Sequence, residues 1–438
     1  MVEFTFSRNL KRQIIAFLIL LATFLQGAAY CGEVSEPGLW GLAMSVRLAS
    51  VPFVAEDDTD LDIIPLLYYD EGRFYLHGLE TGFIFYNDDK WRVSALGRYR
   101  FLNVPDEYQE DAPGSTFDIG GQLRYAISDY FHGDIELLSD EYGAWHVNFT
   151  GKFEFSNEPY GLWPYITLRY KSDKFNNTYY GLGIREPGQA MDSSVGIEAR
   201  YHLISNLYLV GKGALTLLDK NTYDLDIIDD RVQAEAYLGL GVFKHPKDSK
   251  RKLSSKPYLR LAHGWTTPSS LAEILTGNTE QDPYNNQMTS AFLGIPVSDT
   301  LFGLQIPVYL TPGYAYHHAS EVQDQTSEFI LALKGYYTFK WPIVWRLGAA
   351  EGLSYAVTVP YVEQVDMEDK GYDPSNLMNF LDLSLDINLG DLFRTKKLQG
   401  LWLGYGIHHR SGMFETSSMF GNVKGGSNFN TVYLQYHW

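Results

Sequence analysis

Along much of the chain, apolar and polar residues alternate one by one. In 379–389, Leu381, Leu383, Leu385, Ile387 and Leu389 share one face, and Asp382, Ser384, Asp386 and Asn388 share the other. In 117–127, Phe117, Ile119, Leu123, Tyr125 and Ile127 oppose Asp118, Gln122 and Arg124. In 40–48, Trp40, Leu42, Met44, Val46 and Leu48 oppose small residues, Ser45 and Arg47. Successive side chains of a strand point to opposite faces, so this pattern predicts strands with one apolar and one polar face. In a membrane barrel those faces meet lipid and a wet lumen. A soluble β-sandwich alternates too, and the chain end separates the two. In 430–438, Val432, Leu434, Tyr436 and Trp438 face out, while Thr431, Tyr433, Gln435 and His437 face in. A terminal aromatic after alternating apolar residues resembles the signal that outer-membrane assembly machinery recognises. The expected fold is all-β, a transmembrane antiparallel β-barrel in the outer membrane of a Gram-negative cell.

The N-terminus agrees with export. Arg8, Lys11 and Arg12 form a basic start, Ile14 to Leu25 an apolar run, and Gly27, Ala28 and Ala29 a small-residue cut region. Residues 1–30 are therefore expected to be a signal peptide. Tyr30 precedes Cys31, which argues against lipidation. Cys31 is the only cysteine and lies at the cut, so no disulfide is expected in the mature chain. No other stretch has the roughly 18 apolar residues of a membrane helix. Aromatics at 15%, with 32 Tyr and 40 Gly, suit girdles and tight turns. The net charge of −18 argues against a nucleic-acid partner.

The basic, Ser- and Lys-rich stretch 244–256 divides the chain and is expected to be a periplasmic linker. Before it, 36–243 should form one barrel of about 10–12 strands. These lie near 38–48, 61–70, 74–87, 91–101, 116–128, 131–141, 144–156, 161–172, 193–203, 205–217 and 231–243, with a weaker segment at 178–185. The acidic connection 102–115 belongs outside, which requires 61–87 to hold one net crossing or three. After the linker, 257–438 should form an eight-stranded barrel. Its strands lie near 256–268, 287–298, 306–318, 327–339, 344–358, 379–389, 400–411 and 430–438. Its long connections then fall outside and its short ones inside. The rival is one barrel of about twenty strands, pairing the strand at Trp40 with the strand at Trp438.

The run DIIPLLYYDEGRFYLHGLETGFIFYNDDKWRVSALGRYRF (62–101) resembles the MltA-interacting protein (MipA/OmpV) family, and YLGLGVFKH (237–245) resembles its closing strand. The resemblance implies an outer-membrane barrel, associated in some members with scaffolding of a murein-hydrolase complex. The second half more loosely resembles the outer-membrane lipid A 3-O-deacylases. Its GYGIHHRSG (404–412) carries their His-x-Ser pair as His409 and Ser411, on the lipid-facing side of the penultimate strand. The resemblance implies a base and a nucleophile for an acyl ester. The family's orienting acid has no match in GGSNFN (425–430), where Asn428 stands; Glu415 is the nearest carboxylate in sequence.

His408, Arg410, His317 and His318 end strands and read as interfacial residues, with Arg410 facing lipid phosphates. The acidic runs Glu56–Asp60, Asp106–Asp111 and Asp224–Asp230 lack calcium-loop spacing and read as solvated outer loops. No cofactor or metal is expected. The partners expected are outer-membrane lipids and lipopolysaccharide, and a periplasmic murein-hydrolase complex. The functional expectation is a structural, scaffolding or envelope-maintenance role; the alternative is an esterase acting on lipid A or phospholipid.

Overall fold

A computed structural model describes residues 40–54, 59–101, 103, 115–157, 159–244, 253–371, 374–412 and 425–438. The expected signal peptide, Cys31, most of the 244–256 linker, the Asp106–Asp111 run and Glu415 lie outside the described residues. The chain divides into two compact units at Pro246 and Lys247.

The first unit is a closed antiparallel barrel. Its strands are β1 (Trp40–Ser50), β2 (Thr59–Glu71), β3 (Phe74–Gly78), β4 (Glu80–Asn87), β5 (Trp91–Arg100), β6 (Thr116–Ser128) and β7 (Phe131–Ser139). They continue with β8 (Trp145–Phe153), extended by the short β9 (Phe155–Asn157), then β10 (Tyr160–Lys171), β11 (Ala190–Ile204), β12 (Leu207–Leu217) and β13 (Val232–Phe243). With β8 and β9 taken as one staircase of pairing to β10, twelve strands close the wall. The seam is β1 against β13, with Gly41 opposite Phe243 and Leu48 opposite Ala236. Trp40 thus pairs within its own barrel and not with the strand that ends at Trp438.

Two expectations are corrected here. The stretch 74–87 is two strands, because Gly78, at φ +66°, turns the chain so that His77 faces Glu80. That gives 61–87 three crossings and fixes the count at twelve. The weak segment 178–185 is no strand. Ser172 caps a helix, Asp173–Tyr179, by accepting from the Phe175 N–H, and the chain then turns through Leu182. The helix buries Phe175 and Tyr179 with Ala144. Beside it, Leu182 packs with Val51, Phe53, Leu218 and Ile228. These loops lie at the end of the barrel opposite the short turns 72–73, 88–90, 129–130 and 205–206.

The second unit is a closed eight-stranded barrel: β14 (Tyr258–Thr267), β15 (Gln287–Ser298), β16 (Val308–His317), β17 (Thr326–Phe339), β18 (Trp345–Ala356), β19 (Leu377–Asn388), β20 (Leu401–Ser411) and β21 (Gly426–His437). Its seam is β14 against β21, from Tyr258 opposite His437 to Thr267 opposite Asn428. The eight expected strands are all present. The last begins at Gly426 rather than near 430, because the ladder to β20 overrides turn-like residues and pairs Ser411 with Gly426.

The faces follow the alternation. Val432, Leu434, Tyr436 and Trp438 are about half exposed, while Thr431 and Gln435 are fully buried. Phe117, Ile119 and Leu123 are exposed against buried Asp118 and Gln122. Trp40 departs from its expected outward place: it is fully buried, at the rim and cross-strand from Tyr69.

Buried charges are tolerated where they are paired, and both lumens are built that way. In the first, Arg47 meets Asp62 at 2.6 Å and Glu235 at 2.8 Å. Arg98 bridges Glu80 and Glu136. Arg124 pairs with Asp134, and Lys152 with Glu198. In the second, Asp382 binds Arg260 and Lys334, and Asp386 binds Arg346 and Tyr433. Tyr258, Tyr309 and Tyr336 pack below them.

Candidate functional site

Alternation along β20 sends successive residues to opposite sides of the second barrel's wall. His409 and Ser411 face outward with Leu403 and Tyr405, which are exposed. Across the ladder, His409 lies opposite Asn428, and its Nδ1 is 2.7 Å from Asn428 Oδ1. The Asn428 amide in turn donates to the Ser269 carbonyl at 2.9 Å. That second bond directs the amide oxygen toward the ring. The structure therefore brings together His409 and Asn428. Ser411 sits one pleat further along, opposite Gly426, and no hydrogen bond joins it to His409 among the described residues. The triad-like order of base and orienting group is present; contact between nucleophile and base is not.

The neighbouring positions point the other way. His408 and Arg410, expected at the lipid headgroups, are fully buried in the lumen. The reason is parity, since they are one residue out of step with His409. They join a network that the sequence did not reveal. Glu328 of β17 receives His317 Nε2 at 2.8 Å, His408 Nε2 at 3.0 Å and the Ser354 hydroxyl at 2.6 Å. Arg410 donates to Ser354 and grips Glu363 through two nitrogens, at 2.9 and 3.1 Å. Glu363 lies on the helix Tyr361–Glu368 and also accepts from Ser427 at 2.8 Å. The helix is thereby pinned across the mouth of the barrel. His317 is corrected likewise, from interfacial to lumenal; His318 does face outward, its Nε2 2.9 Å from Thr289 Oγ1.

Among the described residues, no group of three or more His, Cys, Asp or Glu side chains is arranged to hold a metal ion. At Glu328 the guanidinium of Arg410 approaches to 3.8 Å, so the carboxylate is neutralised by cationic and hydrogen-bonding side chains. Glu328 had a signal in the sequence: it shares a parity with Lys334, opposite that of Phe329 and Leu331.

The first barrel's long loops carry a second charged centre. Lys171 is fully buried and lies 2.8 Å from Asp192 and 3.5 Å from Asp219. Its ammonium stands 4.0 Å over the Tyr180 ring. Close by, burial and the bond to Asp140 push the Tyr179 phenol up to about 12. In the Asp224–Asp230 run, Asp226 is exposed and paired with Arg185 at 2.8 Å.

Residues 42–242 match the family model of the MltA-interacting protein, MipA. The MltA-interacting protein of Escherichia coli strain K12 is 22% identical over 242 residues, covering 50% of this chain and 93% of that protein. The MltA-interacting protein of Shigella flexneri gives the same values. Among solved structures, the porin NanC aligns with 47% of this chain and all of its own, at 14% identity and a TM-score of 0.29. A bacterial polysaccharide outer-membrane secretin aligns with 93% of this chain and all of its own, at 10% identity and a TM-score of 0.23.

Closed antiparallel walls, an apolar outer belt and an ion-paired interior define an outer-membrane β-barrel protein. Its first barrel belongs to the MltA-interacting protein family, and the second lies outside the matched residues.

Proposed function

We propose that this protein has a structural, scaffolding role in the cell envelope, with its first barrel as the docking unit for a murein hydrolase. The observation that carries this reading is the family match over 42–242, to proteins named for interacting with MltA. The first barrel's lumen adds support. Its charges are spent on each other, at Arg47, Arg98, Arg124 and Lys152, which suits a wall held rigid. The test is binding between the full chain in micelles and purified murein hydrolases of the same cell. A complex formed through the first barrel is expected. Failure of every such hydrolase to bind contradicts the reading.

A second reading is favoured by one observation, the 2.7 Å contact of His409 with Asn428 beside Ser411 on the lipid-facing side. In it, the second barrel is an esterase for acyl esters of lipid A or phospholipid. His409 would take the proton of Ser411 as the hydroxyl attacks the ester carbonyl. An Asn orients an imidazole but stabilises imidazolium less than a carboxylate does. Expression in a host without deacylases, followed by mass spectrometry of its lipid A, tests this. Loss of an acyl chain that depends on Ser411 supports it; unchanged lipid A with the barrel assembled rules it out.

A further inference from the structure

A carboxylate lies in the middle of the second barrel's lipid-facing wall. In β18, Ala350, Gly352 and Ser354 are buried toward the lumen, where Ser354 meets Glu328. Glu351 therefore points outward, with Leu347 below it and Tyr355 above, both exposed. It stands six residues from the strand's start at Trp345 and five from its end at Ala356. Its cross-strand neighbours are Leu333 and Leu381. Polar groups at this depth are unfavourable in hydrocarbon unless something satisfies them.

A second polar group joins it. Asn379 of β19 shares the outward face with Leu381, the cross-strand partner of Glu351. It is 6% exposed, and its Oδ1 has no partner among the described residues. Ser411 lies directly across the ladder from Asn379, and His409 across from Leu381. A buried acceptor without a donor is destabilising and marks a place where a donor is to arrive. Here the arrival side is the lipid-facing surface of β18–β20. What reaches it is a donor carried by the lipid itself.

We propose that the outward surface of β18–β20, centred on Glu351 and Asn379, binds a lipid bearing amide N–H or hydroxyl groups next to its acyl chains. The two acceptors take those donors, and Leu347 and Leu381 contact the chains. This binding needs no hydrolysis and is separate from both readings above.

The test uses the full chain reconstituted in phosphatidylcholine nanodiscs, a lipid without a hydrogen-bond donor. N-acylsphingosine, with an amide N–H and hydroxyls, is added as the probe, and enrichment around the protein is read by native mass spectrometry. Enrichment of at least about fivefold over the bulk ratio is expected, the size of one net hydrogen bond. Glu351→Leu and Asn379→Leu should each abolish it. Heat-modifiable gel mobility verifies that each variant is folded, and Glu351→Ala replaces the leucine variant if that one fails to assemble. No enrichment in the wild type overturns the proposal, and so does enrichment that survives in folded variants. A protein–protein dimer across Glu351 in place of bound lipid also overturns it. Release of an acyl chain, measured separately, reports on the esterase reading alone.

Discussion

The imidazole of His409 is held by Asn428, its Nδ1 2.7 Å from the amide oxygen, across the β20–β21 ladder of the second barrel. An amide can orient the ring but supplies no charge to an imidazolium. Asn428→Asp should therefore raise any Ser411-dependent acyl release by at least about tenfold, since exchanging acid for amide in a serine triad costs about 10⁴. The rate is measured on detergent-solubilised protein with a chromogenic acyl ester. A lower or unchanged rate would show that His409 and Asn428 serve the rim's structure only.

Glu328 gathers His317, His408, Ser354 and, more distantly, Arg410 inside a fully buried pocket. Glu328→Ala leaves Arg410 with one fewer anion and two histidines without their acceptor. Breaking a buried ionic cluster from one side is expected to cost about 3–5 kcal/mol. Urea unfolding in phospholipid vesicles reads this directly. A loss below about 1 kcal/mol, the scale of an exposed pair, would contradict the packing described for the mouth of the second barrel.

Asp299, in the turn after β15, ties down the chain that enters the second barrel. It accepts from the Ser254 N–H at 2.7 Å and the Ser255 N–H at 2.9 Å. Burial opposes its ionisation, but the bonds from Ser254 and Ser255 outweigh this and hold its carboxyl below the ordinary range. With a folded value below the unfolded one, the tether is complete above the unfolded value of about 3.9 and is lost as pH falls through the folded one. The Ser254 and Ser255 amide resonances should shift over that window in micelles. Asp299→Asn should remove the step.

Lys171 closes the long loops of the first barrel through Asp192 and Asp219. Lys171→Met leaves two carboxylates facing each other beneath those loops, and about 3 kcal/mol of local stability should go with it. Faster amide exchange in 173–189 and 218–231 is the expected readout. An eight-stranded wall is filled by its own side chains. Any planar-bilayer conductance should therefore come from the first barrel and rise in this variant.

Period-two alternation carried most of the fold. It placed all eight strands of the second barrel and eleven of the twelve in the first, because one face of each strand must be apolar in lipid. It missed what alternation cannot encode. The Gly78 turn splits one apparent strand, and Ser172 starts a helix where Tyr179 and Tyr180 looked strand-like. Parity also placed His409 and Ser411 on the outward face correctly. It would have sent His408, Arg410 and His317 inward had it been applied to them, where polarity at a strand end suggested the interface instead. Glu328 showed no more than its lumenal parity, and Glu363 and Glu351 were illegible as sites, since their partners are 11 to 80 residues away or on neighbouring strands whose register only the closed wall sets.

The chain closes two barrels, one at β1–β13 and one at β14–β21. Disulfide trapping in a Cys31→Ser background tests this most directly. Met44→Cys with Leu240→Cys should cross-link, as these residues are direct partners, and so should Leu261→Cys with Leu434→Cys. Met44→Cys with Leu434→Cys should not. A cross-link in that last pair, with neither of the first two forming, would mean a single barrel sealed between the strands of Trp40 and Trp438.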